Sequence, residues 1–151
     1  MANVSIEGFL PRSLGVKRAI LKRAAEFFAC RASKIAPAQI RQVVVVLQDD
    51  ASSAEAHVAI NGVEGATDVI TQPYDAMPNE EPGIYGELYV NVERAVKVAS
   101  ARKSWSVEKE TLLYIAHGID HLSGADDIED KDRLRMRRRE LKWISEFYAI
   151  I

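Results

Sequence analysis

Leu112-Leu113-Tyr114-Ile115-Ala116-His117-Gly118-Ile119-Asp120-His121-Leu122-Ser123-Gly124-Ala125-Asp126-Asp127 is the stretch on which the reading of this chain turns. An apolar run leads into two histidines four residues apart, out of three in the whole protein. Positions i and i+4 of a helix share a face, so His117 and His121 present their imidazoles together. Gly124 predicts a left-handed end to that helix, after which the chain can fold back. The return brings Asp126 or Asp127 to the histidines. Two imidazoles and one carboxylate make a three-ligand set with a coordination position left open, the pattern of a catalytic rather than a structural zinc.

Context matters more than spacing here. Three histidines scattered over a chain of this length fall four apart in roughly 4% of cases. The apolar lead, the glycine stop and the acids at the turn are what raise the pair to a candidate site. Zinc peptidases use the same histidine spacing, with a glutamate directly after the first histidine as general base. Gly118 stands in that place, so the peptidase reading drops out. A glycine costs a helix about 1 kcal/mol relative to alanine. Gly118 is therefore either tolerated or serves a close approach of backbone or ligand. Asp120, between the histidines, reads as a surface or capping group.

Outward from this stretch, Ser106 opens the histidine helix, with Glu108 and Lys109 following. Beyond the aspartates a last helix is predicted from Ile128 to about Tyr148, with Leu134, Leu141, Ile144 and Tyr148 on one face. It carries Arg135, Arg138, Arg139 and Lys142 at i, i+3, i+4 and i+7. That basic stripe reads either as a solvated face or as a phosphate-binding surface. Upstream, Tyr85 to Val92 alternates as a strand, and Glu93 to Lys103 follows as a helix with Ala95, Val96, Val98 and Ala99 inward. Thr67 to Pro73 is a modest strand ending at its proline. Tyr74 to Gly83 is polar and rich in breakers, an exposed excursion.

In the first third, Asn3 to Phe9 gives a short strand signal. Ser13 predicts the cap of a helix to about Ser33, with Val16, Ala19, Ile20, Ala24, Phe27 and Phe28 inward. Cys30 is expected on the core side rather than as a nucleophile. Ile40 to Leu47 is a run of β-branched residues, expected as a central strand buried on both faces. Asp49 or Asp50 starts a short helix, roughly Ser52 to Asn61, on which His57 is a lone histidine without a partner.

The bulk numbers exclude several classes. At 151 residues, 48% hydrophobic and 28% charged, the chain is an ordinary globular mix of single-domain size. A net charge of −2 gives no overall attraction to polyanions, so any such partner must meet a local patch. One cysteine allows no internal disulfide, which fits a reducing cytoplasm. No apolar run spans a bilayer, and the first residues carry no secretion pattern.

His117-Gly118-Ile119-Asp120-His121-Leu122-Ser123-Gly124-Ala125-Asp126 followed by Asp127 resembles the signature of the YbeY family, metal-dependent endoribonucleases of bacterial ribosomal RNA maturation. Thr67-Asp68-Val69-Ile70-Thr71-Gln72-Pro73 and Gly86-Glu87-Leu88-Tyr89-Val90-Asn91 resemble two of that family's strands, and the order of elements agrees from about residue 3 to 148. The resemblance implies His117 and His121 as the first two metal ligands and Asp127 as the third, where the family usually has histidine. Zinc is the implied ion, with another divalent metal as an alternative. The implied activity is single-strand-specific cleavage in ribosomal RNA maturation, at the 3′ end of small-subunit RNA, and in ribosome quality control. RNA, the small ribosomal subunit and its assembly factors are the implied partners. By spacing, the family's arginine before the Thr-Asp-Val strand falls on Asn61, which brings no charge. That departure motivates a rival, a non-catalytic metal-containing protein that binds RNA or ribosomal components. A hydrolase of some non-RNA substrate is a third reading. Arg94 or an arginine of the last helix could stand in for the missing charge, and Asp126 could orient a ligand histidine. The expected fold is a single α+β domain over residues 1–151, a central mixed sheet of about four strands packed by about five helices, with a zincin-like metal-site helix.

Overall fold

A computed structural model describes residues 1–151. Four strands form one mixed sheet: β1 (Asn3–Gly8), β2 (Ile40–Gln48), β3 (Val69–Tyr74) and β4 (Ile84–Asn91). Their order across the sheet is β1-β2-β4-β3, with β1, β2 and β4 parallel and β3 antiparallel to β4. Five helices accompany it: α1 (Arg18–Ser33), α2 (Asp50–Asn61), α3 (Val92–Ser100), α4 (Val107–Leu122) and α5 (Asp130–Ile150). None is long and apolar enough to cross a membrane. The α+β expectation, with four strands and five helices, is met.

The histidine helix is the centre of the packing. Thr111 to Ala116 of α4 are buried throughout, and so are Gly118 to Asp120. α4 lies against β3 and β4, with α1, α3 and α5 around it. The approach to β4 is close: a Cβ on Gly118 would lie 2.7 Å from Leu88 Cδ2, and one on Gly86 would lie 2.4 Å from Leu122 Cδ2. Gly118 is thus the close-approach glycine of the two possibilities, paired with Gly86 across the same contact. Ser106 caps α4 as expected, its hydroxyl accepting from the Lys109 N–H at 3.0 Å.

Several expectations need correction. The first helix starts at Arg18 rather than beyond Ser13, because Arg12–Leu14 close a 3-10 turn that ends at Gly15, φ 68°. Its buried face is Leu21, Ala24, Ala25, Phe28, Ala29 and Ala32, so Ala19 is exposed and Cys30 points to solvent. β2 is buried on one face only: Val43, Val45 and Leu47 are fully covered while Val44 and Val46 are half-buried. The outer face of its continuous apolar run is covered only in part. β3 runs through Pro73 to Tyr74, which an edge strand permits, since a proline nitrogen facing away from the ladder forfeits nothing. In α5 the buried residues are Met136, Glu140, Trp143, Ile144 and Phe147, whereas Leu134 and Leu141 are exposed. The helix is rotated from its apolar expectation because two charged side chains reach inward from it.

Candidate metal centre

Those two side chains are Arg139 and Glu140, and both serve the histidine helix. Glu140 has no solvent exposure, and its Oε2 accepts a hydrogen bond from His117 Nδ1 at 2.9 Å. His121 Nδ1 donates to the Ala125 carbonyl at 3.0 Å. A carbonyl or carboxylate can only accept, so both rings carry their proton on Nδ1 when neutral. Each Nε2 is then a bare lone pair. The two Nε2 atoms face each other at 3.1 Å. Asp127 Oδ2 lies 3.6 Å from each.

Two lone pairs and a carboxylate oxygen converging on one point repel one another unless a proton or a metal cation sits between them. Tetrahedral zinc with ligands near 2.1 Å sets ligand atoms roughly 3.4 Å apart, close to the three separations found. His117, His121 and Asp127 could therefore hold a metal ion. The chain positions them by the i, i+4 repeat of α4 and by the return after Gly124, whose φ of 103° makes the left-handed turn. The same return carries the Ala125 carbonyl back to His121, and the Ala125 N–H donates to the Asp120 carbonyl at 3.2 Å.

Asp120 is not a surface group. It is fully buried, and Arg139 binds it with two nitrogens, Nε at 3.0 Å and Nη2 at 2.8 Å from Oδ1. Burial raises its pKa, the Arg139 guanidinium opposes, and the neighbouring Glu140 carboxylate adds to the rise, leaving it at about 6. Burial alone would lower the pKa of His117. The Glu140 carboxylate outweighs it with help from Asp68 and Asp127, so the net shift is upward. Asp126 does not orient a histidine. It is exposed, and its Oδ1 accepts from the Ile128 N–H at 3.0 Å, while Glu140 and the Ala125 carbonyl hold the rings. Glu140 escapes a search for ligands, yet it leaves a trace: a carboxylate in register with Met136, Trp143, Ile144 and Phe147.

The triad opens into a cleft of about 520 Å³ whose walls include Asn61, Asp68, Thr71 and Pro73. Asn61 thus reaches the site, and no lysine or arginine lines the cleft. Asp68, unnoticed as a site residue in the sequence, accepts from the Val69 N–H at 2.6 Å and faces the same space. The basic stripe is split. Arg139 turns inward to Asp120, while Arg135, Arg138 and Lys142 are exposed. Arg94 does not line the cleft.

The comparisons with known proteins agree with this architecture. A family model described as endoribonuclease YbeY matches residues 13–148. Proteins named endoribonuclease YbeY include one from Protochlamydia amoebophila, 33% identical over 67% of this chain and 67% of its own length. Another, from Helicobacter pylori, is 32% identical over 73% of this chain and 74% of its own. The solution structure of a protein from Thermotoga maritima superposes with a TM-score of 0.64 at 26% identity, covering 97% of this chain and 89% of that one. With a match over nearly the whole chain, the protein belongs to the YbeY endoribonuclease family.

Proposed function

We propose that the protein is a zinc-dependent endoribonuclease that cuts single-stranded RNA in ribosomal RNA maturation, at the 3′ end of small-subunit RNA, with a part in ribosome quality control. One observation carries the chemistry. Two Nε2 lone pairs and the Asp127 carboxylate converge at the base of an open cleft, in a chain whose relatives are named endoribonucleases.

His117, His121 and Asp127 would hold the ion. When bound, it supplies an acidified water and a Lewis acid for a phosphodiester oxygen. Glu140 and the Ala125 carbonyl keep both rings in the tautomer that leaves Nε2 free. Asp127 in place of a third imidazole lowers the charge of the ligand set by one, so a bound water is less acidified than with three neutral ligands. Asn61 brings a neutral amide where a guanidinium would stabilise developing charge. Losing one such donor lowers a rate by about 10²–10³. The exposed cations Arg135, Arg138 and Lys142 on α5 supply a surface for the RNA backbone. Ribosomal small-subunit components and assembly factors are the partners this reading implies, and the cytoplasm its compartment.

The test is cleavage of single-stranded ribosomal RNA fragments by the purified protein, alongside Asp127→Ala and a chelator. Cleavage lost in both controls, and restored by zinc only in the chelated parent, supports the reading. Cleavage that survives both comes from a contaminant and overturns it. The absence of any lysine or arginine from the cleft favours one rival, a metal-containing RNA-binding protein without catalysis. That rival binds the same RNA and leaves it intact.

A further inference from the structure

We propose that the free edge of β3 reads the base of an unstacked nucleotide beside the metal centre, and that it prefers adenine to cytosine. The inference rests on the RNA reading above and adds a specificity to it. β3 is the last strand of the sheet and pairs on one side only, with β4. The Asn91 N–H donates to the Asp68 carbonyl at 2.9 Å, and the register sets Val69 opposite Val90. In an antiparallel ladder, residues alternate between bonding to the partner strand and turning away from it. Ile70, Gln72 and Tyr74 therefore direct their backbone groups to β4, whereas Val69, Thr71 and Pro73 direct theirs to the free edge. Val69, Thr71 and Pro73 also line the cleft that holds His117, His121 and Asp127.

The free edge is short of donors. The Val69 N–H is taken by the Asp68 carboxylate at 2.6 Å, and Pro73 has no N–H. What is left is one N–H, of Thr71, flanked by the carbonyls of Val69 and Thr71. An extended peptide adding a strand needs a repeating row of donors and acceptors, which this edge does not offer. A base needs only two or three groups. Adenine sets an amino donor beside a ring-nitrogen acceptor and has no acceptor on the far side, so it meets an acceptor–donor–acceptor edge without a clash. Cytosine carries donor, acceptor, acceptor, so pairing its amino group and ring nitrogen sets its own carbonyl against the second carbonyl of the edge. The absence of lysine and arginine from the cleft suits a neutral base better than a phosphate. Single-stranded RNA is recognised in this way, on the edges of splayed-out bases.

The experiment measures binding of fluorescein-labelled hexamers of riboadenylate and ribocytidylate to the purified protein at one salt concentration. Riboadenylate should bind about tenfold more tightly, the discrimination of one good paired contact. Thr71→Pro removes the outward N–H together with the hydroxyl, at a position where the strand already tolerates a proline two residues on, and should bring the ratio to about one. Thr71→Val keeps the N–H and should keep the preference. A wild-type ratio near one, or a ratio unchanged in Thr71→Pro, overturns the proposal. Should Thr71→Pro fail to fold, amide NMR of the wild-type protein decides. The Thr71 resonance shifts on adding riboadenylate if the proposal holds. A shift with an extended peptide but not with riboadenylate overturns it in favour of strand addition. Metal-dependent cleavage without any base preference leaves the ribonuclease reading standing and removes this one. Base-selective binding without cleavage does the reverse.

Discussion

Glu140 and Arg139 are neighbours in sequence with opposite charges, and each holds a different part of the same helix. Glu140→Gln keeps the side-chain shape and weakens its hold on the His117 tautomer, so metal affinity should fall about 10–100-fold, measured by competition with a chromophoric chelator. Asp126→Ala should leave that affinity unchanged, since Asp126 bonds only the Ile128 N–H. Arg139→Ala strands the fully buried Asp120 carboxylate. Removing one partner of a buried ion pair costs about 3–5 kcal/mol, so denaturant unfolding should show a loss of that order. The upward shift of His117 sets a pH dependence. In the metal-free protein its protonated form is favoured by folding, so that contribution is complete below the unfolded pKa of about 6.5 and is lost as pH rises through the higher folded value. Metal must displace that proton, so affinity should climb with pH and level off only above about 6.5. An affinity flat from pH 6 to 8 would contradict the upward shift of His117.

At the scale of elements, α4 was readable because its signals agree: the Ser106 cap, the apolar run, the histidine pair and the Gly124 stop all describe one helix. α5 was readable as a helix but not in its rotation. Leu134 and Leu141 suggested a seam that Met136, Trp143 and Phe147 in fact form, because the inward pull of Arg139 and Glu140 depends on partners 19 and 23 residues away. β2 misled through composition, since Val44 and Val46 are as apolar as their buried neighbours. Gly118 offers the sharpest test of packing. Gly118→Ala gains about 1 kcal/mol of helix propensity, but its methyl would press on the fully buried Leu88 at 2.7 Å. Overpacking costs about 1–3 kcal/mol, so the variant should unfold at lower denaturant than the parent. Greater stability in Gly118→Ala would mean that α4 can move off β4.

For the whole molecule, fold class and both histidines of the candidate metal centre could be read from the chain, while the charge of the cleft could not. Asn61 stands alone in the sequence as a missing arginine. Only the assembled walls show that no other cation replaces it and that Asp68 joins the acidic side. The cations gather instead on α5, where Arg135, Arg138 and Lys142 face outward on a chain of net charge −2. If they hold RNA phosphates, Arg138→Ala and Lys142→Ala should each lower the slope of log affinity against log salt by about 0.7, with little change in sequence preference. Everything else in the account depends on the ion itself. Elemental analysis of the protein and of His121→Ala, purified side by side, is the direct measurement. One equivalent of zinc is expected in the parent and none in the variant; a parent without bound metal, or a variant that retains a full equivalent, would contradict a metal centre at these residues.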